Sequence, residues 1–192
     1  MLQPLVTQRL VLRRLEASDA EAVYVYRADP EISRYQTWEP ASAEEIRAAI
    51  VRMHGMEPFT PGEWFQLGII RRDTGELIGD CGIHARADER RQVELGITLA
   101  PSSQRQGMAF EAFSALLEFL FAQTETHRVF CSVDPRNRSC LGLLQKIGMR
   151  REAHLVESLW IKGAWVDDMV FGILKTEWKK PTEPNPDATS KA

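Results

Sequence analysis

A strand-like run, VELGITLA (residues 93–100), and an apolar helical run, FEAFSALLEFLF (110–121), flank the stretch PSSQRQGMA (101–109). A helix start exposes N–H groups that its own backbone cannot satisfy, and it carries roughly half a positive charge. A turn poor in large side chains lets a phosphate reach those donors. Gly107 tolerates positive φ and leaves space, Ala109 is small, and Arg105 adds a charge-assisted contact. The chemistry such a stretch suits is the binding of a diphosphate. The same residues also make an ordinary helix lead-in with a glycine, and alone they do not choose between the two. The Gly-Lys-Ser/Thr ending of a P-loop is missing.

These residues need a scaffold, and 192 residues at 44% hydrophobic and 27% charged suit one globular domain with a substantial core. A net charge of -3 speaks against a nucleic-acid binder. Cys81, Cys131 and Cys140 have neither disulfide-framework nor metal spacing, so no metal is expected. With no signal peptide and no membrane-length apolar run, the expected location is the cytoplasm, away from membranes. QRLVLRRL alternates as a first strand. A helix follows, capped by Ser18 or Asp19. Ser42 caps the next helix, with Glu45 at capping-box spacing. SRYQTWEP is read as a loop. Residues 64–85 read as two strands joined at Asp73-Thr74-Gly75. HRVFCSVD is a strand, RNRSCLGLLQKIG a helix ending at Gly148, and the chain closes in two strands around Gly163. The polar, Pro-rich tail 179–192 is expected to be disordered. Strands meander first and helices cross between strands later, which predicts a mixed sheet with helices on both faces.

Gln104-Arg105-Gln106-Gly107-Met108-Ala109 matches the Gln/Arg-x-x-Gly-x-Gly/Ala signature of the GNAT acetyltransferases. VDPRNRSCLGLLQKIGM resembles the family's second signature through Asn137, Cys140, Lys146, Gly148 and Met149. TQRLVLRRLEASDAEAVY, ISRYQTWEP and KGAWVDD resemble the RimJ/RimL-type branch. The resemblance covers about residues 7–178, taken as one domain. It implies an α/β (α+β) fold: a mixed, twisted, mostly antiparallel sheet of about seven strands flanked by about four helices. The fourth and fifth strands, VELGITLA and HRVFCSVD, would splay apart. The pantetheine arm of acetyl-CoA would fill that gap like an added strand.

On this resemblance Ile97, Thr98 and Leu99 offer main-chain contacts to the arm, and Asn137 a hydrogen bond. Gln104, Arg105, Gln106, Gly107, Met108 and Ala109 form the diphosphate loop, and Lys146 completes the coenzyme set. The implied reaction carries an acetyl group from acetyl-CoA directly to a primary amine, with fixed donors for the developing oxyanion. Glu94 is the first candidate base, on the strand face opposite Val93, Leu95 and Ile97; a surface carboxylate is the plainer reading. Glu152 and Glu157 are weaker alternatives. Asp80 and His84 are placed to line the cleft. The family's common Tyr acid has its place at Leu144, so that route is absent. Cys140, with an ordinary thiol pKa of about 8.5, or Ser139 beside it, would serve the leaving group. Ser139 equally reads as a helix cap. No His–Asp pair supports an acyl-enzyme at Cys140.

Acceptor contacts fall on Tyr35, Trp38, His84 and Trp160, with Trp64 and Trp165 as further walls and Glu39, Asp167 and Asp168 placed to attract a cationic amine. Asp167 also matches a branch position that fixes the closing hairpin. The acceptor is a protein N-terminus or a small-molecule amine, and the assembly a monomer or homodimer. The alternative is a catalytically weak coenzyme-binding module with the same fold, motivated by the missing Tyr. Fold and motif do not determine substrate.

Overall fold

The computed structural model describes residues 2–180. In chain order its elements are β1 (Leu5–Val6), β2 (Leu10–Arg14), α1 (Ala20–Arg27), α2 (Pro30–Ser33), α3 (Ala43–His54), β3 (Trp64–Arg71), β4 (Leu77–Ala85), β5 (Gln92–Leu99), α4 (Met108–Gln123), β6 (Arg128–Val133), α5 (Arg138–Ile147), β7 (Arg150–Ile161) and β8 (Ala164–Leu174). They build one sheet in the order β1-β2-β3-β4-β5-β6-β8-β7. Among the described residues only β5 and β6 run parallel, joined by the helical crossover that parallel strands need.

Alternation along the central strands sorts the side chains. Val93, Leu95 and Leu99 of β5 pack with Ile83, Val129 and Cys131 beneath Ala112, Phe113, Leu116 and Leu120 of α4. The opposite face holds a smaller core of Val23 and Tyr26 from α1 with Ile46, Ile50 and Met53 from α3. Helices therefore cover both faces, and the larger core fixes where α4 begins.

β5 and β6 pair only at Gln92↔Arg128, Val93↔Val129 and Glu94↔Phe130. β5 continues to Leu99 and β6 to Val133 without another rung between them. The sheet is splayed at the expected pair of strands, and Glu94 stands at the fork. β8 lies between β6 and β7, so β6 has a full antiparallel partner on its other side.

The strand count exceeds the sequence estimate because Leu5–Val6 pairs with Leu12 and Val11 ahead of the first expected strand. The extra helix is α2, where Asp29 accepts from the Glu31 N–H at 2.8 Å and Pro30 occupies the first turn. Asp19 precedes α1 without capping it through its side chain. Its carboxylate instead accepts from the Glu16 N–H and pairs with Arg13, both at 2.7 Å. Ser42 caps α3, accepting from the Glu45 N–H at 3.2 Å, whereas the Glu45 carboxylate turns to the Ala41 N–H. From residue 181 onward the expected tail lies outside the described residues.

Candidate active site

A cleft of about 560 Å³ runs from the elbow before α4 to α2. Ile97, Thr98 and Leu99 line it from β5, and Gln104, Arg105, Gly107 and Ala109 from the elbow. Asn137, Ser139, Cys140 and Lys146 line it from α5, and Tyr35 from the segment after α2. Two residues of the elbow sit in left-handed backbone, Arg105 at φ 59 and Gly107 at φ 78. Among the described residues no acceptor takes the N–H groups of Arg105 through Phe110; the first bonded amide is that of Glu111, to the Gly107 carbonyl at 3.1 Å. The two glutamines fold the loop. Gln104 Nε2 donates to the Leu99 carbonyl at 3.1 Å and Gln106 Nε2 to the Ser102 carbonyl at 2.7 Å. The Gln104 N–H is also spent, on Pro101. Met108 is buried in the core, so only its backbone remains available.

At the second signature, Asn137 is the cap of α5, its Oδ1 accepting from the Cys140 N–H at 3.1 Å. Capping therefore falls to Asn137 and not to Ser139, which is exposed in the cleft. Asn137 keeps its Nδ2 as a donor. Cys140 packs against the main core, and although part of its surface stays open, desolvation pushes its thiol up to about 11. Such a group stays protonated at neutral pH. It can donate a hydrogen bond to sulfur, but it is a weaker acid than an ordinary thiol near 8.5. Lys146 lies over the Phe110 ring, 4.6 Å from its centroid, and both line the cleft.

Glu94 projects from the other face of β5. Burial raises its pKa; His84, its cross-strand neighbour with Nδ1 at 3.7 Å, opposes the rise, and Asp168 adds to it. His84 stacks on Trp64 with ring centroids 5.1 Å apart. Asp168 is buried and accepts from Ser132 Oγ at 2.7 Å and the Val133 N–H at 3.1 Å. Asp80 does not line the cleft. It is enclosed by Tyr26 and Arg27 of α1, whose Oη and Nη2 each reach it at 2.5 Å. Arg27 also covers the Trp38 ring at 4.7 Å, so Trp38 is an edge aromatic of the smaller core and not a wall of the cleft. Trp160 is exposed and meets Trp165 edge-on, outside the cleft. Asp167 fixes the hairpin through His154 and the Glu157 N–H. Glu152 is paired with Arg128 and Arg150.

A splayed sheet, an elbow of free N–H groups and a carboxylate at the fork make a specific combination. The family profile described as an acetyltransferase (GNAT) domain matches residues 9–150. The chain belongs to the GNAT acetyltransferases. The uncharacterized N-acetyltransferase YoaA of Bacillus subtilis is 33% identical over 172 residues, covering 89% of this chain and 96% of that one. The ribosomal protein uS5-alanine N-acetyltransferase of Escherichia coli is 25% identical, covering 91% and 92%. A solved GNAT acetyltransferase of Bacillus anthracis superposes with a TM-score of 0.82 at 25% identity, over 91% of this chain and all of that one. The RimJ/RimL-type resemblance thus has ribosomal-protein acetyltransferases among this chain's relatives.

Three parts of this GNAT cleft were not singled out as site residues from sequence. Phe110 gives the cleft an aromatic wall, Gly142 and Leu143 floor it from α5, and Ile32 and Gln36 close it beside Tyr35. Gly142 stands three residues after Ser139, on the same face of α5, a spacing that could have found it. Asp29-Pro30-Glu31 is a local helix-start signal for α2, but its approach to the cleft is set by long-range contacts.

Proposed function

We propose that the protein is an acetyl-CoA-dependent N-acetyltransferase that passes the acetyl group directly to a primary amine in a ternary complex. The observation that carries this reading is the row of unpartnered N–H groups from Arg105 to Phe110, opening beside the unpaired edge of β5. When bound, acetyl-CoA supplies an acyl group activated as a thioester. The elbow's N–H groups hold its diphosphate. The free edge of residues 95–99 and Asn137 Nδ2 hold its arm. Glu94, at the fork, takes the proton that the amine must lose, directly or through one water. Cys140 keeps its proton and donates a hydrogen bond to the departing sulfur, with Ser139 beside it. Tyr35 borders the acceptor. The named activity of the uS5-alanine relative supports a protein α-amino group as the acceptor class. The three cysteines are free, as suits a reducing compartment, and we place the reaction in the cytoplasm.

The test is release of free thiol from acetyl-CoA in the presence of peptides and small amines, with mass spectrometry of the acceptor. Gain of one acetyl group on an amine is the expected result. Tight coenzyme binding without thiol release from any acceptor would instead identify a coenzyme-binding module.

A further inference from the structure

The β7–β8 hairpin turns at Lys162 and Gly163, both in left-handed backbone at φ 51 and φ 80. A two-residue turn of this hand matches the twist of the strands and fixes the direction in which Lys162 leaves the sheet. Its ammonium reaches the end of α2 and the segment after it. Nζ donates to the Ser33 carbonyl at 2.8 Å and pairs with Glu39 Oε2 at 2.8 Å. Ser33 is the last residue of α2 and is buried. A charge-assisted bond to such a carbonyl is stronger than an open surface pair. The segment is held from a second side, where Tyr35 Oη donates to the Arg136 carbonyl at 3.4 Å, next to the cap of α5. Next to these anchors, Ile32, Tyr35 and Gln36 line the same cleft as Asn137 and Cys140.

We infer that Lys162 is a positioning residue, which ties α2 to the hairpin and so sets the width of the cleft where an acceptor meets the acyl group. The inference rests on the transferase reading above. Lys162 acts through α2 and touches no reacting atom. Without its ammonium, the end of α2 loses its tie to the hairpin and residues 30–36 swing more freely, while Tyr35 still bonds Arg136 and Trp38 stays under Arg27. The acceptor wall then loosens while the diphosphate elbow, built from a different part of the chain, stays as it is.

Three variants separate the parts of the latch. Lys162→Met keeps the chain length and removes the charge and donors. Lys162→Arg keeps both. Glu39→Gln removes the ion pair and leaves the bond to Ser33. In Lys162→Met, amide hydrogen exchange across residues 30–36 rises by about tenfold, because local opening becomes easier. The acceptor KM rises about three- to tenfold, the range one charge-assisted bond supports. The acetyl-CoA Kd from calorimetry stays within about twofold, since the elbow keeps its donors. Lys162→Arg stays near wild type and Glu39→Gln falls between. Unchanged exchange at 30–36 in Lys162→Met overturns the latch, whether or not acetyl transfer is detected. Faster exchange with an unchanged acceptor KM overturns the positioning role. Faster exchange in Lys162→Met, with no acceptor acetylated by the wild-type protein, sinks the transferase reading and leaves the latch standing.

Discussion

Glu94 is the residue on which the proposed chemistry turns, and its environment gives a signed expectation. Burial, reinforced by Asp168, raises its pKa above the ordinary carboxylate value. A base must be deprotonated, so the acid limb of the rate profile should lie above about 4.3, the unperturbed glutamate value. The same shift means that ionised Glu94 costs the fold stability as pH climbs through the raised value. Glu94→Gln removes that cost. We therefore expect kcat/KM to fall by about 10²- to 10⁴-fold, while the Tm at pH 8 stays equal to or above wild type. A variant within twofold of wild-type activity would dismiss Glu94 as the base. Cys140 offers a second residue-level test. A thiol pushed up to about 11 is almost all protonated at pH 8, so iodoacetamide should modify it on the order of a hundredfold more slowly than an ordinary cysteine. Rapid alkylation would mean a reactive thiolate and would reopen the acyl-enzyme route; Cys140→Ser should retain activity. The face on which Glu94 stands was legible in the sequence, because strand side chains alternate. The fate of Asp80 was not, because Tyr26 and Arg27 reach it from a helix more than fifty positions earlier.

At the scale of elements, the elbow between β5 and α4 is an N-terminus left open, with left-handed backbone at Arg105 and Gly107. A Cβ on Gly107 would meet only Arg9 Nη2 at 3.5 Å, so space is not the constraint; the positive φ is. Gly107→Ala should cost stability through backbone strain of about 1–2 kcal/mol and weaken acetyl-CoA modestly. Gly107→Glu adds a carboxylate where phosphate oxygens belong, and calorimetry should then detect no binding while circular dichroism reports an intact fold. Equal affinity in the two variants would show that charge at the elbow is irrelevant. A second element-level contact joins α1 to β4. Arg27 and Asp80 are buried together, with Tyr26 burying its hydroxyl against the same carboxylate. Removing one partner strands the other, so Asp80→Ala should lose about 3–5 kcal/mol in denaturant unfolding. A loss below about 1 kcal/mol would place Asp80 among surface-like pairs. Turn signals made the elbow, the Gly75 hairpin and the Gly148 helix end readable. The α2 helix escaped because four residues carry no period.

Across the whole molecule, each of the first five strands pairs with its predecessor, through short connections except between β2 and β3, where residues 15–63 carry α1, α2 and α3. The insertion of β8 between β6 and β7 is different. It depends on which edge of the hairpin meets β6, a choice made by buried side chains far apart in sequence such as Val129 and Ile173, and no local pattern reports it. The site lies on the opposite edge of β6. β8 pairs β6 along its whole length on one side, while the other edge of β6 meets β5 only as far as Glu94. The sheet thus lacks rungs at its centre, where a fully paired sheet would be most rigid. A ligand that supplies those rungs must stabilise the whole fold. At a hundred times its Kd, acetyl-CoA should add about 2.7 kcal/mol. For a chain of this size that corresponds to a rise in Tm of about 5–10 °C. ATP and NAD lack the pantetheine arm and should give far smaller shifts. Amide exchange should slow in residues 95–99 and 105–110 together, since one ligand engages both. Protection confined to the elbow would mean that only the diphosphate is held and that the open strand edge is not where the arm lies.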